Sequence, residues 1–185
     1  VEINFIQTST SGQPLVLLHG TASEWQSFSP LIPVFAEKFK VFVLDLRGHG
    51  GSSWVSEKYR LFDYAEDIKC FLEKHIGQPS ILYGHSLGAQ IAIAATSLAP
   101  AYVKALVLGD IPFYYHNMTM KDTIWYEPFT ELHHVIKSYH SAKEIDDYMA
   151  EQYPKMDEQR RKNRAVTLSH VDPDVVLTIL EDRHI

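Results

Sequence analysis

Residues 80–89 read SILYGHSLGA, and within them Gly84-His85-Ser86-Leu87-Gly88 is a G-x-S-x-G sequence. An apolar run precedes it and a long apolar, helix-like segment follows, so the serine falls at a strand-to-helix turn. A bend that sharp needs glycine two residues to either side, because neighbouring backbone would collide with a Cβ there. It lifts the serine hydroxyl clear of the sheet and sets it at a helix N-terminus, where unpaired N–H groups and the helix dipole favour developing negative charge. A hydroxyl in that setting could accept an acyl group, provided a histidine takes its proton and an acid orients the histidine. The motif alone is weak, since glycine and serine are common turn residues. Its surroundings give it meaning.

Four near-continuous apolar runs, PLVLLHG (14–20), KVFVLDL (40–46), SILYG (80–84) and KALVLGD (104–110), suit strands buried on both faces of a parallel sheet. VEINFIQ (1–7) reads as a further strand already under way. Helix signals alternate with them. Ser29-Pro30 would open one helix, followed by Leu31, Val34, Phe35 and Lys38 at helical spacing. Asp63 and Glu66 resemble a capping box for a second, lined by Leu61, Ala65, Ile68, Phe71, Leu72 and Ile76. Leu87, Ile91, Ala94, Ala95 and Leu98 line a third. This rhythm predicts an α/β fold with a doubly wound, mostly parallel sheet over residues 1–110.

Beyond Asp110 the strand signals stop. Phe129, Leu132, Ile136 and Tyr139 share a helical face. Ser141-x-x-Glu144 caps a helix carrying Ile145, Tyr148 and Met149, and Asp172-Pro173 opens a last one with Val175, Val176, Ile179 and Leu180 inward. Residues 111–185 therefore read as a helical cap or lid, dense in aromatics (Phe113, Tyr114, Tyr115, Trp125, Tyr126 and Phe129) that would wall a pocket.

A formal charge of −6 argues against a nucleic-acid partner. The one cationic cluster, Arg160–Arg164, lies beside Asp157 and Glu158 and reads as a solvated helix face. No apolar window spans a membrane, because Ala89–Gly109 is broken by Pro100 and Lys104. The single cysteine, Cys70, forms no internal disulfide, suits a reducing, cytoplasmic setting, and reads as a thiol in or near the core. His133-His134 could suggest a metal, but adjacent residues point to different faces of a helix, so no metal and no cofactor are expected.

His19-Gly20 ending a strand in LLHGTASEW, the loop DLRGHGGS (45–52) and GHSLG, in this order and spacing, resemble the α/β-hydrolase family. The likeness is to its serine esterase-like branch with a helical cap, and it runs over the whole chain. It implies that Ser86 is the nucleophile and that the backbone N–H groups of Thr21 and Leu87 form an oxyanion hole. Gly20, Trp25 and His85 would line the substrate pocket, though Trp25 reads equally as a core aromatic. His19 reads as a loop brace rather than a base, and Asp45, Arg47 and His49 as holding their loop. Serine at this position speaks against the family's dehalogenases and epoxide hydrolases, which use aspartate. Esterase, lactonase, thioesterase, C–C hydrolase and perhydrolase chemistry stay open, on a small, partly apolar substrate.

The family's triad runs serine, acid, histidine along the chain. Its acid usually follows the strand after the cap, and its histidine follows the last strand. Neither strand is found before Ile185. Asp110 is a substitute acid, or only a hinge into the cap. His116, His133, His134, His140, His170 and His184 all lie in the cap or its exit, not after a strand. The chain is therefore expected to be part of a longer hydrolase, completed by further sequence or a second polypeptide. The alternative is a non-catalytic ligand-binding homologue or an inactive fragment.

Overall fold

A computed structural model describes residues 1–111 and 118–184. Five strands form one sheet: β1 (Phe5–Gln7), β2 (Gln13–Leu18), β3 (Phe39–Leu44), β4 (Ser80–His85) and β5 (Val103–Gly109), in the order β1-β3-β2-β4-β5. β1 pairs antiparallel with β3, and the other pairings are parallel. The apolar runs are continuous because alternate residues serve opposite faces. Val16, Leu18, Phe42 and Leu44 join the larger core cluster, while Leu15, Leu17, Val41 and Val43 join the smaller one. β5 is one edge of this sheet, with Val107 and Leu108 exposed.

Helices α2 (Leu61–Phe71) and α3 (Leu87–Leu98) pack together on the larger cluster. Short α1 (Ile32–Ala36) presents Ile32, Phe35 and Ala36 to the smaller one. Helices α4 (Tyr126–Ser138), α5 (Ala142–Gln152), α6 (Glu158–Ser169) and α7 (Pro173–Leu180) follow, α4 against α7 and α5 against α6. Ser141 caps α5 as its spacing predicts: its Oγ accepts from the Glu144 N–H, and Glu144 accepts from the Ser141 N–H.

Several local expectations need correction. α1 begins at Ile32, not Ser29, because Trp25–Phe28 form a 3₁₀ turn that carries on through Ser29 and Leu31, whose N–H groups donate to Gln26 and Phe28 carbonyls. Pro33, not Pro30, sits in its first turn. In α2, Asp63 is the third residue rather than the cap, and its carboxylate accepts from the Arg60 N–H. Glu66 instead pairs with Lys69. Cys70 is exposed rather than near the core: the buried stripe of α2 runs through Tyr64, Ala65, Ile68 and Phe71, and residue 70 faces away. α6 is a full helix whose basic run is not simply solvated. Arg161 pairs with Asp146, and Arg164 reaches inward to Ala22.

α7 docks on the loop after β3. Val171 bridges His49, the Asp172 N–H donates to the Gly48 carbonyl, and Tyr59 Oη donates to Asp172 Oδ2 at 2.5 Å. Gly48 has a φ of +73°, and a Cβ there would meet Val175 Cγ2 at 2.5 Å. Glycine is needed because this helix crosses the loop so closely.

Candidate active site

Parallel pairing brings the chemistry to one end of the sheet. Leu18 sits opposite Gly84 and His85 opposite Gly109, so β2, β4 and β5 release their loops side by side. Those loops open with His19-Gly20-Thr21, with Ser86, and with Asp110.

Ser86 has φ +52° and ψ −115°, a backbone region that a residue with a Cβ enters only under strain. Its surroundings hold it there. A Cβ on Gly84 would lie 2.2 Å from the Gly88 carbonyl oxygen, and one on Gly88 would lie 2.3 Å from that of Leu18. The turn therefore closes tightly against itself and against the end of β2. The Ser86 N–H donates to the Gly109 carbonyl at 2.8 Å, and its carbonyl accepts from Ala89 at 2.9 Å. Its side chain makes no capping bond to α3 and no other hydrogen bond among the described residues.

The loop after β2 is fixed by buried histidines. His19 Nε2 accepts from the Leu46 N–H, so its Nδ1 carries the proton and donates to the Gly20 carbonyl. His49 Nε2 accepts from Ala22, and its Nδ1 donates to the Arg47 carbonyl. Burial lowers His19 to about 4 and His49 to about 3. Both rings are neutral at pH 7, and each has both nitrogens committed to backbone. His19 is a brace and not a base. Asp45 accepts from Trp25, Gly51 and Asn4, while Arg47 forms a bidentate pair with Asp67 at 2.5 and 2.7 Å. These bonds pin the backbone around Thr21. Among the described residues, neither the Thr21 nor the Leu87 N–H donates to a protein acceptor.

An open cavity of about 760 Å³ collects these groups: Gly20, Thr21, His85, Ser86, Leu87 and Asp110 all line it. Trp25 does not. Its ring packs on the smaller core cluster, and its N–H donates to Asp45 Oδ1 at 2.7 Å. The far wall comes from the later helices, through Met118, Met120, Trp125, Phe129, Ile179, Asp182 and His184. His184 was read only as one of several late histidines, and no periodicity marks Asp182 or His184 as wall residues. Ser86 Oγ forms no hydrogen bond with His184 or with another histidine among the described residues. His170 instead faces Glu24 at 3.4 Å, and His134 meets Ser138. Phe113, Tyr114, Tyr115 and His116 lie outside the described residues. Among the described residues no three His, Cys, Asp or Glu side chains group as metal ligands, and no helix is long and apolar enough to cross a membrane.

A family model for the alpha/beta hydrolase fold matches residues 13–164. The chain belongs to the α/β hydrolase fold family. A curated α/β hydrolase relative, the 2-(acetamidomethylene)succinate hydrolase of Mesorhizobium japonicum, is 28% identical over 149 residues, covering 80% of this chain and 52% of its own length. The pimeloyl-[acyl-carrier protein] methyl ester esterase of Methylococcus capsulatus is 33% identical over 104 residues, 56% of this chain and 39% of its own. In fold, the crystal structure of an E-2-(acetamidomethylene)succinate hydrolase superposes with a TM-score of 0.72 at 24% identity, covering 97% of this chain and 68% of that one. The match thus spans about half the length, or less, of these curated relatives.

Proposed function

We propose that this chain carries the nucleophile portion of a serine hydrolase for small, partly apolar ester-like substrates. The observation that carries the reading is Ser86 itself, a strained serine whose hydroxyl makes no hydrogen bond among the described residues, beside two backbone N–H groups equally unengaged there, in one cavity. In the proposed reaction Ser86 Oγ attacks an acyl carbonyl and passes its proton to a histidine. The carbonyl electron pair becomes an oxyanion held by the Thr21 and Leu87 N–H groups, each worth on the order of 3 kcal/mol. Collapse expels the alcohol, which takes the proton, and water then releases the acid from the acyl-enzyme.

The base and its acid are assigned to sequence beyond residue 185, with Asp110 at the cavity as the alternative acid. Residues 1–110 serve as the catalytic core and 111–185 as a cap whose Trp125, Met120 and Ile179 meet the apolar part of the substrate. A cytoplasmic setting fits the single thiol.

The test is turnover of short p-nitrophenyl esters by the protein together with the sequence that follows residue 185. We expect turnover that Ser86→Ala lowers roughly 10⁴-fold or more. Ligand binding with no turnover in either form would favour a binding protein instead.

A further inference from the structure

Beside the Ser86 cavity lies a second open cavity of about 1230 Å³, and the two share Ser23, Ser27, Trp125 and Phe129 as common walls. One side is apolar, with Leu132, Val135, Met149 and Met156. The other is a face of α6, where Arg160, Asn163, Arg164 and Thr167 follow one another at helical spacing.

Arg164 is the unusual group. It is half-buried, and its Nη1 donates to the Ala22 carbonyl at 2.6 Å. A guanidinium carries five N–H donors, and this contact uses one. No carboxylate among the described residues lies within ion-pair distance of it. Burial alone acts on its pKa, downward, with no neighbouring charge offsetting the cost. The acids on the same wall are engaged elsewhere. Glu24 accepts from Thr167 Oγ1 at 2.8 Å and faces His170, and Glu131 accepts from Tyr153 Oη at 2.5 Å. A ligand anion would supply the missing counter-charge, and bidentate carboxylate is the partner a guanidinium fork fits best.

We propose that Arg164 binds a carboxylate at the far end of the substrate, so that the two neighbouring cavities together hold one acid-bearing acyl chain with its reacting carbonyl at Ser86. This rests on the serine-hydrolase reading and narrows its substrate class. The bland role for Arg164 is a strap tying α6 to the loop after β2, and the test separates the two.

The experiment, on the protein together with the sequence that follows residue 185, compares kcat/KM for the p-nitrophenyl ester of adipic acid with a free distal carboxylate against the same ester capped as its methyl ester. We expect the free acid to be favoured on the order of 10- to 100-fold, the scale of a hydrogen bond to a charged group. Arg164→Gln keeps a donor for Ala22 but drops the charge, and should bring that ratio close to one, whereas Arg164→Lys, which keeps the charge but loses the fork, should keep part of it. A ratio near one in the unmodified protein, or a ratio that survives Arg164→Gln, overturns the proposal. Should the glutamine variant not fold, the unmodified ratio and the lysine variant still decide. Calorimetry with adipate and the Ser86→Ala protein needs no turnover. If neither ester is hydrolysed, the hydrolase reading fails and calorimetry decides this one. Saturable binding that Arg164→Gln weakens by a similar factor supports it, and no binding overturns it.

Discussion

Ser86 occupies a backbone conformation that costs on the order of 1–3 kcal/mol for a residue with a Cβ. That cost separates two inert variants. Ser86→Gly relieves the strain and Ser86→Ala keeps it, so the glycine form should be the more stable by about 1 kcal/mol, read from urea midpoints. Equal midpoints would mean that the kink carries no strain. The flanking glycines act in the opposite sense. Gly88→Ala places a methyl 2.3 Å from the Leu18 carbonyl oxygen, and should lower stability by roughly 1–3 kcal/mol. At this scale the sequence placed residues together without assigning their roles. Gly20, Thr21, His85, Ser86 and Leu87 came from the motifs that carry the family resemblance, and all five line one cavity. Trp25 was open between wall and core, because the sheet residues it packs on are distant in the sequence. His184 and Asp182 gave no signal, since only the path of the chain after α7 carries them to the cavity.

Strand runs survive translation into structure well, because burial on both faces leaves an unbroken apolar string. Helix starts survive less well. The start of α1 moved because a 3₁₀ turn competes for Ser29, and Asp63 proved to be an inside residue of α2. The loops that follow β2 and β3 are held by His19 and His49, and this gives them a pH dependence. Both folded pKa values, about 4 and about 3, lie below the unfolded value of 6.5. Between those limits the unfolded chain binds more protons, so stability rises with pH there. It is fully present above about pH 6.5 and is lost as pH falls toward 4. The loss for the coupled pair should be on the order of a few kcal/mol. The urea midpoint should therefore drop clearly between pH 7.5 and 5, and a His49→Asn variant should show a shallower drop. A flat profile would contradict neutral buried rings.

For the whole molecule, α7 is tied to the loop after β3. Tyr59 and Asp172 are both buried, and the tyrosine hydroxyl is the donor that satisfies the Asp172 carboxylate across that junction. Tyr59→Phe leaves that carboxylate short of a partner, a loss of about 1–3 kcal/mol. Hydrogen exchange should then accelerate over residues 171–180 while β2 and β4 keep their protection. Little of this docking was legible beforehand: DLRGHGGS was read as a loop that holds itself, whereas Gly48 is also the seat of α7. The basic run on α6 was likewise read as a solvated face, because charge patterning shows neither Asp146 nor the Ala22 carbonyl on the far side.

The central claim concerns the Ser86 hydroxyl, and peptide mass spectrometry after exposure to a fluorophosphonate tests it most directly. The protein should be used with the sequence that follows residue 185. The account expects one phosphonyl adduct per chain, on the peptide containing Ser86, with none in Ser86→Ala. An unlabelled Ser86 in a folded protein, or an adduct on a different residue, would contradict it.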